Sequence, residues 1–217
     1  NFKKNIKKMT ESVLIVGAGS GLSASLARLC SSNGMKVVLA ARDIEKLQDL
    51  KKEIGANTIK CDATKIKSVT NLFKKTDKII GVPNLVIYNP SKSLGGSIVD
   101  LDPQKAFEAI NITSYGGFLV SQQSAKRMLK KKRGSIFFTG ATASIKGFPN
   151  SSVFAMGKFG LRGLAQSLAR ELHPQNIHIG HFIIDGGIGH ENYGSYKTIH
   201  PDEIAKVYLQ FHNQDKS

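Results

Sequence analysis

Along this chain, short apolar runs alternate with stretches in which apolar residues recur every three or four positions. Val13 to Val16 is an unbroken apolar run closed by Gly17, the pattern of a strand buried on both faces. Leu22, Leu26 and Leu29 then repeat at helical spacing. Lys36 to Ala41 predicts a second strand, and Asp43 a cap for a helix carrying Ile44, Leu47, Leu50 and Ile54 on one stripe. The same alternation predicts a strand over 57–62, a helix over 66–75 and a strand over 84–88. Asp102 followed by Pro103 signals a helix start, and that helix is expected to run to Lys131 with a disturbance near Gly116 and Gly117. A strand over 135–139 precedes a long helix with Leu161, Leu164, Ala165, Leu168 and Leu172 in register, closed by His173 and Pro174. A sixth strand over 177–184 and a last helix over 201–211 complete the pattern. Six strand–helix alternations imply an α/β fold, a doubly wound parallel sheet with helices on both faces. No internal repeat or linker interrupts it, so residues 1–217 read as one domain.

Composition narrows the picture. Hydrophobic residues make up 41% of the 217 positions and charged residues 22%, enough for one ordinary core. The two cysteines, Cys30 and Cys61, form neither a metal pattern nor a disulfide framework. The lysines near the start are followed by too short an apolar run for a signal peptide, and no run reaches the roughly 18 residues of a membrane span. A cytoplasmic protein without membrane partners is the expectation. The net charge of +15 raises nucleic acid as a partner, but the lysines are dispersed. The one dense run, Lys130 to Arg133, falls at a helix end, where cations suit the helix dipole. Nucleic-acid binding is therefore not expected. The six histidines share no spacing, and no metal site is assigned.

Chemistry enters at the turn "GAGSGLS", between the first strand and the first helix. Glycines there let the backbone approach a pyrophosphate, and the helix N-terminus offers unpaired N–H groups. Gly17, Gly19, Ser20, Gly21 and Leu22 are the candidate contacts, in a Rossmann-like dinucleotide-binding fold with strand order 3-2-1-4-5-6. The position about 20 residues beyond the glycines, where NAD-binding domains carry an acidic residue, holds Ala41, and Arg42 follows. An arginine suits a 2′-phosphate, so NADP(H) is the expected cofactor. Asp43 keeps NAD(H) as the alternative, although it reads more simply as a helix cap.

With these residues in place, the chain resembles the short-chain dehydrogenase/reductase family over nearly its whole length. The family's T-G-x-x-x-G-x-G turn corresponds to Val16, Gly17, Gly21 and Ser23, with the Thr and last Gly changed. Asp62, followed by Ala63, matches the Asp that stands beside adenine. Asn89 in "YNPS" is the one retained residue of N-N-A-G, and Asn111 matches the family's catalytic Asn. The stretch "GKFGLRGLAQSLARELHPQNIHI" is the most specific match. The P-G motif after the sixth strand has become Asp185–Gly186, and Ile188 falls where a main-chain contact to nicotinamide is implied.

The family uses a tyrosine four residues before its lysine and a serine thirteen before the tyrosine. Lys158 is present, but those places hold Phe154 and Ala141. The resemblance implies that Asn111 and Lys158 carry what remains of the catalytic set, with Lys158 also holding the cofactor ribose. Phenylalanine keeps the ring and loses the proton, a change worth ~10²–10⁴-fold in general acid–base catalysis. Candidate substitute hydroxyls are Tyr88, Tyr115, Thr139, Thr142, Ser144, Ser151, Tyr193 and Tyr196, the last two in the loop that covers substrate in relatives. The reading is an NADP(H)-dependent oxidoreductase acting on a small carbonyl, alcohol or enoyl substrate. The alternative is a cofactor-binding sensor or scaffold without turnover. Relatives pair their long helices into a dimer, and Gly157, Gly160 and Gly163 would permit close approach, so a homodimer is expected. Relatives also add a seventh strand after the last helix. Here either the sequence stops early or the sheet edge is bare.

Overall fold

The computed structural model describes residues 10–189, 191 and 198–214. Six parallel strands form one sheet: β1 (Ser12–Val16), β2 (Lys36–Ala41), β3 (Asn57–Lys60), β4 (Leu85–Tyr88), β5 (Gly134–Thr139) and β6 (Ile177–Phe182). Their order is β3-β2-β1-β4-β5-β6, as the alternation implied. The helices between them are α1 (Leu22–Ser32), α2 (Gln48–Ile54), α3 (Ile66–Ile80), α4 (Pro103–Ile110), α5 (Gly116–Lys131), α6 (Ser152–Leu172) and α7 (Pro201–His212). A two-residue strand β7 (Gly187–Ile188) pairs with β8 (Thr198–Ile199) beyond the sheet.

The strands are apolar throughout because both faces are covered, and successive side chains point to opposite faces. Leu14, Val16, Val86, Tyr88, Ile136 and Phe138 pack against α3, α5 and α6. Val13, Ile15, Leu85, Ile87 and Phe137 pack against α1, α2 and α7. An aromatic group of Phe137, Phe182, Tyr208 and Phe211 fixes α7 on the second face. No helix among the described residues is long and apolar enough to cross a membrane.

Several expected elements differ. The helix expected after Asp43 begins at Gln48, behind a 3-10 turn over Glu45–Leu47, and α3 runs on to Ile80 rather than ending near Lys75. The helix expected over 103–131 is interrupted by a π turn, Asn111–Tyr115. Tyr88 causes it from below: its hydroxyl donates to the Ile112 carbonyl, which a regular helix would use internally. Gly116 follows because a Cβ there would run into the Tyr88 hydroxyl and lie 3.1 Å from the Ala63 carbonyl. The third strand stops at Lys60, since the Asp62 amide turns away to the Ser68 hydroxyl at 3.0 Å. The sixth stops at Phe182, whose carbonyl takes the Gly140 amide at 2.7 Å, and Ile184 folds across the sheet end into the core. The Asp102 cap is as expected, its Oδ1 accepting from the Lys105 amide at 2.8 Å ahead of Pro103.

Candidate active site

The carboxyl ends of the strands form one edge, where open α/β sheets bind ligands. At its centre, Gly17 leaves β1 with φ +80°, and a Cβ there would lie 2.6 Å from the Pro90 ring. Only glycine fits both the conformation and the contact. The Gly17 and Ala18 amides both donate to Ala40 O, at 2.9 and 3.0 Å, which ties the turn to β2. Ser23 Oγ donates to Gly17 O at 3.0 Å and accepts from Asn89 Nδ2 at 2.7 Å. The sequence reading placed Asn89 here but not Ser23. The changed last glycine of the turn is a lock between β1, α1 and β4.

α1 starts at Gly21 without a side-chain cap, so its first amides face the cleft unclaimed by any side chain. Leu22 is buried in the core, and only its backbone faces the turn. A Cβ on Gly19 would meet no protein atom within 4 Å, and its φ is not left-handed. Nothing in the chain itself requires glycine there.

A cavity of about 430 Å³ runs from this turn toward β2 and β3. Gly17, Arg42, Asp62, Ala63 and Asn89 line it, so five of the expected contacts converge. An adjoining cavity of about 330 Å³ shares Arg42 and Asp62 and reaches Asn111 at the start of the π turn. Asp43 also lines the first cavity, but its Oδ1 accepts from the Glu45 amide at 3.1 Å and its Oδ2 lies 3.5 Å from Lys46. It caps the 3-10 turn ahead of α2. For Asp62, burial raises the carboxyl, but the Thr64 hydroxyl and amide, at 2.7 and 3.0 Å, outweigh it and hold it below the usual range.

Lys158 lies outside both cavities, at the end of β5. It is 3% exposed, and its Nζ donates to Thr139 O at 2.8 Å and lies 5.6 Å from the Phe154 ring centroid. Burial brings its pKa down to about 8. His181 on β6 is brought down to about 4 by burial, then by the charges of Lys158 and Arg162, so it is neutral near pH 7. Gly140 makes room for it, since a Cβ there would sit 2.6 Å from His181 Nε2. Ile188, on β7, is part-exposed and lines neither cavity.

The candidate hydroxyls fare differently. Tyr88, placed by sequence at the cofactor edge, is fully buried and its pKa is driven up by burial, so it is a core residue. Thr139 Oγ1 pairs with Tyr208 Oη at 2.9 Å inside the core. Ser144 Oγ accepts from the Ala141 amide at 3.0 Å. Thr142 donates to Asp185 on the exposed rim. Tyr115 stacks on Phe118, centroids 6.1 Å apart, on the part-exposed outer side of the helices. Tyr193 and Tyr196 lie outside the described residues. Among the described residues no His, Cys, Asp and Glu group could hold a metal ion.

The short chain dehydrogenase family model matches residues 11–188. A short-chain dehydrogenase from Rhodopseudomonas palustris superposes with a TM-score of 0.84 at 32% identity, over 95% of this chain and 93% of that one. A metagenomic short-chain oxidoreductase crystallised with NADP also gives 0.84, at 25% identity over 95% and 91%. The bovine 3-oxoacyl-[acyl-carrier-protein] reductase is 25% identical over 167 residues, 76% of this chain and 70% of that protein. Sheet order, glycine turn and family match agree: the chain belongs to the short-chain dehydrogenase family, oxidoreductases that bind NAD(P) and act on small-molecule substrates.

Proposed function

We propose that the protein is an NADP(H)-dependent oxidoreductase that reduces a carbonyl or enoyl substrate or oxidises the corresponding alcohol. Arg42 carries this reading. It ends β2 on the wall of the cavity, with no carboxylate at the strand end, and Asp43 beside it is occupied as a cap. A guanidinium there can bind a 2′-phosphate with paired charged hydrogen bonds.

In this reading Gly17, Gly19, Ser20, Gly21 and the Leu22 amide would hold the diphosphate. Asp62 and Ala63, on the cavity wall, would flank the adenine, and Asn89 supports the turn through Ser23. Lys158 would hold the nicotinamide ribose, Asn111 at the π turn would stand beside the reacting end, and the Ile188 main chain would meet the nicotinamide amide. Bound NADP(H) supplies the hydride chemistry. The chain's own residues bind, orient and exclude water around it. The NADP complex of the metagenomic relative supports the choice of cofactor, and the bovine reductase supports a carbonyl as substrate. Phe107, Phe118, Met156 and Phe159 on α4, α5 and α6 are exposed, which supports a homodimer through these helices.

Arg42→Ala tests the reading by fluorescence titration. Losing a charged hydrogen-bond pair costs about 1.5–3 kcal/mol, so NADPH affinity falls roughly 10- to 100-fold while NADH affinity is unchanged. NADPH binding that is unaffected by the substitution overturns the reading.

A further inference from the structure

The oxidoreductase reading leaves its proton unassigned. Phe154 and Ala141 carry no ionisable group, and four of the candidate hydroxyls among the described residues are committed elsewhere. Tyr88 donates to Ile112, Thr139 pairs with Tyr208, and Ser144 holds the Ala141 amide. Thr142 directs its hydrogen to Asp185.

Lys158 is differently placed. Its ammonium sits at the carboxyl end of β5 with three N–H donors, and Thr139 O is its one hydrogen-bond partner among the described residues. No carboxylate pairs with it there. The titratable group it acts on is His181 on β6, neutral near pH 7, which also feels Arg162 from the same helix as Lys158. The Phe154 ring closes its side toward the start of α6. A buried cation at the carboxyl end of β5, with two donors uncommitted among the described residues and an apolar ring beside it, can give hydrogen bonds and a proton to a group brought against it.

We propose that Lys158 is itself the proton donor in carbonyl reduction, and the proton acceptor in alcohol oxidation, in addition to holding the cofactor ribose. The proposal rests on the oxidoreductase reading above. The balance is complete. The carbonyl carbon gains the hydride supplied by NADPH, its oxygen takes a proton from Nζ directly or through one water, and NADP⁺ is left. The neutral amine then regains a proton from solvent. An ammonium titrating near pH 8 suits this work, because a general acid is most effective when its pKa lies near the operating pH.

The test uses the full chain, NADPH, and two probes, acetoacetyl-N-acetylcysteamine and 9,10-phenanthrenequinone. For reduction, kcat should be level below about pH 7 and fall about tenfold per pH unit above about 8, where the acid form is lost. Lys158→Arg keeps the charge but does not titrate in this range. With NADPH kept saturating, so that any loss of ribose contact does not enter, it should lower kcat by at least ~10²-fold, without a break near pH 8. Phe154→Tyr restores a phenol and should raise kcat and move the break. Independently of turnover, a lysine side-chain ¹³Cε resonance lost in Lys158→Arg should titrate near 8. Retained kcat in Lys158→Arg overturns the proposal, as does a resonance titrating at 10 or above. A ~10²-fold loss in Thr142→Val or Ser151→Ala also overturns it, by placing the donor there. Each of these leaves the oxidoreductase reading standing. NADPH binding without reduction of either probe removes both and leaves a cofactor-binding protein without turnover. Failure to bind NADPH removes both.

Discussion

Replacing Lys158 with methionine should make the cofactor-free protein more stable at pH 7. Burial takes the Lys158 pKa from its ordinary 10.5 to about 8. At about 1.4 kcal/mol per pKa unit, holding the charged form in the fold costs about 3 kcal/mol. The side chain is 3% exposed, so solvent relieves little of this. Methionine removes the charge and fills similar volume. It also leaves Thr139 O without its donor, which returns about 1–2 kcal/mol. The net gain is about 1–2 kcal/mol, or roughly 3–6 °C in Tm for a domain of this size. The pH dependence gives a second check. Below pH 8 both folded and unfolded lysine are protonated, and the cost is fully present. Between about 8 and 10.5 the unfolded chain holds the proton and the folded chain has released it, so wild-type stability rises relative to the variant. The buried hydroxyls of Tyr88 and Tyr208, both pushed up by burial, act in the sense opposite to Lys158 but equally in the two proteins, so they cancel in the difference. Thermal melts of both proteins from pH 6 to 10.5 make the measurement. A lower Tm for Lys158→Met at pH 7, with parallel profiles above pH 8, refutes the argument.

Two further substitutions test the scaffold around the cleft. Tyr88→Phe removes the hydroxyl that holds the Ile112 carbonyl in the π turn; it should cost about 1–3 kcal/mol in urea unfolding, yet leave turnover per folded molecule within about twofold, and a hundredfold loss would reinstate Tyr88 as the acid. Gly17→Ala forces an L-residue to φ +80° and drives its Cβ into Pro90; strain of order 1–3 kcal/mol plus the clash should lower Tm and weaken NADPH binding at least tenfold by calorimetry, and wild-type affinity would contradict the role given to the turn.

The sheet was readable because its strands are local apolar runs between strong punctuation, and because alternating crossovers leave few strand orders. The cap at Asp102 is equally local and came out as read, whereas Asp43, read as a helix cap, closes a 3-10 turn ahead of α2. The missed features join residues distant in sequence. Ser23 meets Asn89 across 66 positions, and no spacing rule connects a serine in a glycine turn with an amide on β4. Tyr88 ends β4 as read, and its burial, which removes it as a candidate acid, had a local signal. It lies two residues after Val86, so the period of two sends both to the same face, and Val86 is core. The π turn then follows from Tyr88, since the disturbance read at Gly116–Gly117 begins five residues earlier where the hydroxyl reaches Ile112.

The two halves of the cleft depend on different chemistry, and that explains how the residue changes are distributed. The cofactor side is built from backbone: a left-handed glycine, an uncapped helix start and paired amides on Ala40 O. Side-chain replacements at Val16 and Ser23 leave those amides in place, and Ser23 adds bonds of its own. The resemblance expects the proton-transfer groups on side chains, and Phe154 and Ala141 carry none at those places. Lys158 is where the two halves meet. Its burial without a counter-ion is unfavourable for the fold, and neither the Thr139 contact nor the Phe154 ring offsets it fully. A site that only needed to hold a ribose could use an uncharged donor. One that must also supply a proton near neutral pH needs an ammonium destabilised by this amount, because that same burial brings its pKa down to about 8.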